Sequence, residues 1–179
     1  MFRIFKSIKM TGKTQYRVEK EIPYYEQTQK RTFLGKIRKI KNTLLLLLAY
    51  ACPSSKLRIF MHRLRGVNIG KGCYIGMFCF IDNLYPEYIY IEDGASVNAG
   101  SMLIAHFNPL IRFKRVLQAK VSPIIIKNGA LIAVKCVILP GVVIGENSIV
   151  SAGSVVNEDV EACTLVRGNP AKKVGRIRM

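Results

Sequence analysis

The histidines are the side chains of this sequence best suited to proton transfer near neutral pH. The 179-residue chain has two of them. His106 stands at a corner of a repeated pattern, three residues before a long insertion, and side chains in such places often carry function. We therefore consider His106 a candidate general base, although an ordinary surface histidine explains its position equally well. His62 lies among basic residues of a predicted helix, and we interpret it as part of a solvated face.

The cysteines favour a packing role over chemistry. Five of them make an odd number, and none is spaced as C-x-x-C, which argues against a zinc site and a disulfide framework and favours a reducing compartment. Cys73, Cys79 and Cys136 occupy the small positions of the repeat described below. Cys52 and Cys163 have no base close in sequence, so a nucleophilic thiol is a weaker hypothesis than a histidine base.

A six-residue period begins after Gly66. Its aliphatic marks form four groups of three: Ile69, Ile75, Ile81; Ile91, Val97, Leu103; Ile126, Ile132, Ile138; Ile144, Val150, Val156. Gly usually follows a mark after three residues, with Asn147 and Asp159 in the same position, and a small residue follows after four. Gly, Asn and Asp tolerate positive φ. Each unit therefore predicts a short strand and a tight corner, with the aliphatic and small residues inside.

These units predict a stacked coil, because one unit cannot bury its own core. Three units per turn give four turns from twelve units, about 4.8 Å apart. The spacing does not determine the handedness of the coil, and the general rule for parallel crossovers favours a right-handed one. Insertions at 87–90 and 109–125 interrupt the period. The longer one contains Arg112, Lys114, Arg115 and Lys120, and loops of this length are usually functional or disordered.

The positive charge is concentrated before the repeat. Residues 1–65 hold 16 Lys and Arg against three acidic residues, a net charge of +13 out of +17. Residues 1–30 are predicted to form an arm, and residues 33–52 a helix that Pro53 ends. A second helix over 55–65, capped by Ser54 or Ser55 and closed by Gly66, has one apolar face at helical spacing. That face comprises Leu57, Phe60, Met61 and Leu64.

The N-terminal extension also indicates where the protein lies in the cell. The apolar run 44–52 has nine residues, too few to span a bilayer, and it starts too late for an ordinary signal peptide. The basic charge could indicate nucleic-acid binding, but the sequence has no recognisable nucleic-acid module. Anionic lipid or a lipid-linked glycan fits better. We therefore predict a cytoplasmic protein with peripheral contact at the inner membrane surface.

Several motifs resemble those of the hexapeptide-repeat O-acetyltransferases, the group of maltose, galactoside and capsular or O-antigen sugar acetyltransferases. The resemblance covers about residues 57–177. Its motifs are VNIGKGCYIG (67–76), FIDNLYPEYIYIEDGASVNAGSMLIAH (80–106), ILPGVVIGENSIVSAGSVVNEDV (138–160) and VRGNPAKKV (166–174). The closing LPGV, SAGSVV and GNPAK series is highly specific, whereas a single hexad would be weak.

The resemblance implies an all-β fold, a left-handed parallel β-helix of about four turns, with an N-terminal helical extension and a loop excursion. It divides the chain into an arm with two helices (1–65), the β-helix with loop 109–125 (66–161) and a C-terminal tail (162–179). It implies a homotrimer with acetyl-CoA, and no metal, in a groove between subunits. The acceptor would be a hydroxyl of a sugar, glycan or lipid-linked saccharide, as in polysaccharide biosynthesis.

Site residues also follow from the resemblance. His106 matches the catalytic base, and Asp82 and Asn83 match the acceptor end, where a satisfied turn would explain them equally well. The matches along the cofactor groove are Ala133, Val134 and Ala152, with Lys172 and Arg176 near its phosphates. Asn157 and Glu158 stand where relatives have Thr-Lys, so one expected cation is missing.

Other functions remain as alternatives. A non-catalytic repeat scaffold or an amino-acceptor N-acetyltransferase would share the pattern. A γ-type carbonic anhydrase needs three histidine ligands, and the repeat has only His106. A serine acetyltransferase typically has a helical domain far larger than 65 residues.

Overall fold

The computed structural model describes residues 20–21, 33–113 and 115–178. Apart from strand β1 (Lys20–Glu21), the predicted arm of residues 1–30 lies outside the described residues, as does Lys114. Helices α1 (Phe33–Ala51) and α2 (Ser55–Leu64) match the predicted helices to within one residue. Ser54 caps α2 by accepting the N–H of Leu57 at 3.4 Å. Within the described ranges, neither helix is long and apolar enough to cross a membrane.

The repeat forms three parallel sheets, here called sheets 1, 2 and 3. Sheet 1 contains β2 (Asn68–Ile69), β5 (Ile89–Ile91), β10 (Ile124–Ile126) and β13 (Val143–Ile144). Sheet 2 contains β3 (Tyr74–Ile75), β6 (Ser96–Val97), β11 (Leu131–Ile132), β14 (Ile149–Val150) and the C-terminal hairpin of β16 (Thr164–Gly168) and β17 (Ala171–Arg176). Sheet 3 contains β4 (Phe80–Ile81), β7 (Met102–Leu103), β12 (Val137–Ile138) and β15 (Val155–Val156).

The aliphatic marks stack in register from one turn to the next. In sheet 2, Ile75 pairs with Val97, Val97 with Ile132, and Ile132 with Val150. All four side chains are fully buried. The chain visits sheets 1, 2 and 3 in that order four times. The predicted period and its inward positions are therefore confirmed.

The small inward positions are also confirmed. Cys79 and Cys136 are buried and Cys73 is half-buried, and burial raises the pKa of all three thiols. A buried thiol with a raised pKa is a poor nucleophile. These cysteines therefore pack the core, as predicted.

The corners depend on positive φ, and not only at glycine. Asn147 has φ 53°, as its type predicts, but Phe78 (φ 61°) and Lys135 (φ 56°) adopt the same region. Phe78 is held there by α1, because its N–H donates to the carbonyl of Tyr50 at 2.7 Å and the two rings meet edge to face at 5.3 Å. Tertiary contacts stabilise a conformation that an aromatic residue rarely adopts alone.

Helix α2 leaves most of its apolar face exposed. Leu57, Phe60 and Leu64 of that face are about half exposed, and only Met61 is buried. The helix instead buries its polar side, including His62, which we predicted to be solvated. His62 is 1% exposed.

Unpaired carbonyl groups of the first turn explain why α2 packs with its polar side. In later turns, each carbonyl at a mark accepts an N–H from the turn before, as Val97 does from Gly76. The first turn has no predecessor, and arginines of α2 and its C-cap supply the donors. The pairs are Arg63 with Ile69, Arg58 with Ile75 and Arg65 with Ile81, at 3.0, 2.8 and 2.8 Å. Because unpaired buried carbonyls are costly, the arginine side of α2 packs on the repeat.

The long insertion carries secondary structure of its own. Strand β8 (His106–Phe107) pairs antiparallel with β9 (Lys120–Val121), and β1 pairs antiparallel with the other edge of β9. Sheet 1 resumes at β10, inside the range predicted as loop 109–125. This side sheet fixes the backbone of His106.

Candidate active site

A histidine and an aspartate meet at the corner that follows sheet 3. Asp82 directly follows β4, and His106 lies three residues after β7 ends. Ile81 of β4 is in register with Leu103 of β7, so the two side chains come from neighbouring turns. Nδ1 of His106 is 2.5 Å from Oδ2 of Asp82. The register of the repeat therefore positions the pair.

The Asp82 carboxylate is fully buried and heavily hydrogen-bonded. Its Oδ2 also accepts the N–H of Ala105 at 2.9 Å, and its Oδ1 accepts those of Leu84 and Tyr85 at 2.8 and 3.0 Å. Burial disfavours the charged form, but the hydrogen bond and charge of His106 and the N–H groups of Tyr85 and Leu84 outweigh it. The pKa of Asp82 therefore lies below its ordinary value, and the group is an anion at neutral pH.

An anionic acceptor at Nδ1 fixes the state of the His106 ring. The hydrogen bond assigns the proton to Nδ1 in the neutral ring, which leaves a lone pair on Nε2. No residue that the structure describes hydrogen-bonds to Nε2, and 22% of the side-chain surface is exposed. The ring packs at a tilt against Tyr85, with centroids 5.6 Å apart. This arrangement can accept a proton from a bound molecule.

The two predicted acceptor-binding residues are placed differently from each other. The side chain of Asp82 is 0% exposed and is hydrogen-bonded to His106 and to the N–H of Ala105, and its contact with an acceptor stays a prediction. Asn83 is half-buried, and its Nδ2 donates to Oγ1 of Thr43 in α1 at 3.0 Å. Its Oδ1 has no hydrogen-bond partner, and its contact with an acceptor stays a prediction.

The predicted cofactor residues lie at another corner. Ala133 and Val134 connect β11 to β12, and Ala152 connects β14 to β15, so all three follow sheet 2 on consecutive turns. Val134 is 44% exposed, and its carbonyl accepts the N–H of Gly153 at 2.9 Å. Sheet 3 separates this corner from His106. Within one chain, the repeat does not bring the two groups together.

The predicted phosphate-binding cations project from β17. Lys172 and Arg176 are 63% and 74% exposed. Lys172 Nζ is 3.7 Å from Oε2 of Glu158, a residue that replaces the expected cation, and Arg176 is 3.8 Å from Oε2 of Glu161. Such exposed pairs are weak, so both cations can exchange partners. In the described ranges, no group of three or more His, Cys, Asp or Glu could hold a metal ion.

The sequence analysis missed the link between Asp82 and His106, although the signal was present. The period pairs Ile81 with Leu103, so residues just after these marks must be neighbours.

The comparisons with known proteins identify the repeat. Residues 123–158 match the family model described as bacterial transferase hexapeptide, six repeats. The chain carries this hexapeptide repeat. The matched residues run from the start of β10 to just beyond β15, and the predicted resemblance to hexapeptide-repeat acetyltransferases is confirmed.

Solved hexapeptide-repeat structures share the fold. The acetyltransferase VCA0836 from Vibrio cholerae has a TM-score of 0.69 and 23% identity, over 83% of this chain and 95% of that one. It has also been solved with acetyl coenzyme A. A maltose O-acetyltransferase from Clostridium difficile 630 has a TM-score of 0.65 and 20% identity, over 83% and 90%. At these identities, the likeness shows the fold.

Two curated relatives differ in how much they match. YvoF of Bacillus subtilis (strain 168), provisionally named an acetyltransferase, is 27% identical over 138 residues, 76% of each chain. A 2,3,4,5-tetrahydropyridine-2,6-dicarboxylate N-acetyltransferase of Staphylococcus aureus (strain bovine RF122 / ET3-1) is 40% identical over 78 residues. The match covers 44% of this chain but only 29% of that relative.

Proposed function

We propose that this protein is an acetyltransferase that moves the acetyl group of acetyl-CoA to a hydroxyl of a sugar or glycan, with His106 as general base. The observation that carries the proposal is the Asp82–His106 pair, which leaves Nε2 as a free base at a corner of a hexapeptide repeat. The names of the hexapeptide-repeat neighbours, VCA0836 and the maltose O-acetyltransferase, support the reaction class.

The pair supplies acid–base chemistry for a direct transfer. Nε2 of His106 takes the hydroxyl proton as the oxygen attacks the thioester carbonyl. Asp82 stabilises the imidazolium that forms, as a buried carboxylate partner does in other histidine bases. When the tetrahedral intermediate collapses, the carbon–sulfur bond breaks and the imidazolium returns its proton to the departing thiolate. No protein thiol carries the acetyl group in this scheme.

An amino acceptor is the second candidate, favoured by the 40% identity to an N-acetyltransferase. Both reactions need a base and release a thiol, so thiol release detects either of them. The acceptor that accelerates the release then distinguishes O-acetylation from N-acetylation. We expect acetyl-CoA to raise the thermal midpoint of the protein, because it binds the folded state, and saccharide hydroxyls to accelerate thiol release. Release with amines alone would favour N-acetylation. No thermal shift and no release would instead favour a non-catalytic scaffold.

We also propose that the three sheets close into a left-handed β-helix, as the resemblance implies. Their cyclic order supports closure, since each crossover is a short corner between neighbouring sheets. The shared fold with VCA0836 supports the hand. The general preference for right-handed crossovers then gives way, because the units are too short to hold a crossover helix.

The separated corners support a homotrimer in which two copies form each site. One copy would bring His106, and its neighbour the cofactor corner at Val134. We expect a mass three times 20.1 kDa and an interface with threefold symmetry. Co-expressed His106→Ala and Val134→Arg chains, each inactive alone, should form active mixed trimers. A stable monomer, or mixtures as inactive as their parents, would contradict the shared site.

The exposed side of both helices supports peripheral contact with an anionic inner membrane surface. Its apolar residues are Ile37, Ile40, Leu44, Leu47 and Leu48 of α1 and Leu57, Phe60 and Leu64 of α2. Lys36 and Lys41 flank the α1 stripe at helical spacing, and both are exposed. An apolar face bordered by lysines is typical of helices that lie in the bilayer interface, and each near-surface cation adds about 1 kcal/mol.

A vesicle assay tests this contact. We expect sedimentation with phosphatidylserine-containing vesicles, reduced by salt, and little with neutral ones. The double variant Leu47→Glu/Leu48→Glu should abolish binding, whereas Val116→Glu, on an exposed residue of the insertion, should not. Equal binding to neutral and anionic vesicles would reject the electrostatic contact. Loss of trimer mass in the double variant, with no vesicle binding by the parent, would assign the face to subunit packing.

A further inference from the structure

One of the three arginines that cap the first turn also contacts the residue that orients His106. Arg58 and Arg63 hydrogen-bond only to backbone carbonyls away from Asp82: Arg58 to those of Ile75 and Cys52, and Arg63 to those of Ile69 and Gly70. Arg65 Nη2 instead donates both to Ile81 O at 2.8 Å and to Asp82 O at 2.7 Å. The guanidinium therefore binds the backbone carbonyls on both sides of the Asp82 Cα atom.

We propose that Arg65, braced by His62, is a positioning residue that holds Asp82 in line with His106 and balances its buried negative charge. The proposal rests on the proposed role of His106 as the base. It assigns a function to the side of α2 that sequence analysis expected to be solvated.

The contacts of Arg65 are those of a fixed group. It is 4% exposed, and its Nη1 is 2.8 Å from Nδ1 of His62, which is 1% exposed. Burial, then the charges of Arg65 and Arg58, lower the pKa of His62 to about 3, so the neutral ring accepts this hydrogen bond at Nδ1. Burial lowers the pKa of Arg65 to about 10, against the opposing effect of Asp82. Arg65 therefore remains a cation at neutral pH.

The fork of the guanidinium matters as much as its charge. Two carbonyls and an imidazole nitrogen are held by one planar group, which a lysine ammonium cannot reproduce. Nε of Arg65 is buried with no hydrogen-bond partner. Arg65 thus leaves one of its own donors unpaired but keeps both hydrogen bonds to the backbone carbonyls of Ile81 and Asp82. A purely structural cap, like Arg58, needs no contact with Asp82.

The charge of Arg65 has a predictable direction of effect. The Asp82 carboxylate contacts His106, the backbone carbonyl of Asp82 accepts from the buried Arg65, and Tyr85 packs against the His106 ring. The charge of Asp82 also acts on Arg65, whose pKa it raises against the effect of burial. Without Arg65, the carboxylate would hold the imidazolium more strongly. The base would then become free only at higher pH, so less of it would be available near neutrality.

Histidine NMR tests the proposal without any assay of acetyl transfer. The chain has two histidines, and His62 should not titrate near neutral pH. We expect Arg65→Met to move the His106 titration midpoint upward by about 0.5 to 1 pH unit, the size of a screened charge effect. Arg65→Lys should leave the midpoint near that of the parent. Arg58→Met, which removes an equally buried cap on the same helix, should lower thermal stability and leave the midpoint unchanged.

Kinetics test the fork separately. Arg65→Lys should lower kcat about tenfold with little change in KM for acetyl-CoA, an effect typical of lost outer partners. His62→Leu should lower kcat in the same way, and His62→Gln, which keeps an acceptor for Nη1, should restore most of it.

The outcomes separate this proposal from the proposed function. An unchanged His106 midpoint in a folded Arg65→Met variant, or parental kcat in Arg65→Lys, would overturn it. If Arg65→Met does not fold, the His62→Leu and His62→Gln comparison decides, and equal kcat in both would also overturn it. Absence of acetyl transfer in the parent protein would sink the proposed function, whereas the NMR shift would still test the charge balance.

Discussion

His106→Ala should lower kcat by at least about 10²-fold, because a positioned general base typically contributes 10²–10⁴-fold. The ring touches Asp82 through Nδ1 and has no other hydrogen-bonding partner in the described part of the chain. Its removal should therefore change proton transfer and leave acetyl-CoA affinity close to that of the parent. Steady-state rates with the acceptor found in the screen, together with calorimetric titration of CoA, measure both quantities.

The pH dependence and a thiol control sharpen this test. In the parent, the rate should rise with pH as the imidazole loses its proton, and the variant should lack that limb. Cys163→Ser and Cys52→Ser should keep nearly full turnover, since neither thiol lies in the proposed transfer. Near-normal turnover of His106→Ala on the true acceptor would show that the base is another group, even if the fold and co-substrate are right.

Asp82→Asn should lower kcat by about 10²–10⁴-fold, a range set by general-base catalysis and by the loss seen when the carboxylate partner of a catalytic histidine becomes an amide. An amide NH₂ facing Nδ1 would donate a hydrogen bond where the carboxylate accepts one. The neutral ring would then carry its proton on Nε2, so the free lone pair would face inward. The amide can still accept the N–H groups of Leu84 and Tyr85 at Oδ1, but its NH₂ leaves the N–H of Ala105 without an acceptor. The fold of the variant is therefore checked by circular dichroism beside the kinetics.

A second corner aspartate provides the matched control. Asp159 also accepts a backbone N–H, that of Val143 at 2.8 Å, but it lies on the last turn and does not contact His106. Asp159→Asn should leave kcat unchanged. If Asp82→Asn retains parental kcat while its fold is intact, Asp82 does not set the state of the His106 ring.

The stability of the fold in acid measures the contribution of ionised Asp82 independently of catalysis. Its folded-state pKa lies below the ordinary carboxyl value, so its charge stabilises the fold above the unfolded-state pKa. That contribution is lost as pH falls through the folded-state pKa. Chemical unfolding at a series of acidic pH values should show a shallower loss in Asp82→Asn than in the parent.

Much of this fold could be predicted from the sequence because the repeat is a local property. The spacing of Ile75, Val97, Ile132 and Val150 determined which residues face inward and which strands pair, since an in-register stack admits no other arrangement of the marks. The helix bounds were equally local, set by Pro53 and the caps around α2. Recognition of His106 came from its position beside an insertion together with the family motifs.

Only the tertiary structure decided which side of α2 is buried and what Asp82 does. The amphipathic pattern defined an apolar face with Leu57, Phe60 and Leu64 but did not say which side of the helix packs on the repeat. Three carbonyls at the open edge of the first turn need donors, and arginines on the other side supply them. That requirement exists only once the sheets are assembled, so no window of sequence contains it. The Asp82–His106 contact likewise joins residues 24 positions apart across two turns. The sequence determined the period, and long-range hydrogen bonding decided how its polar residues are used.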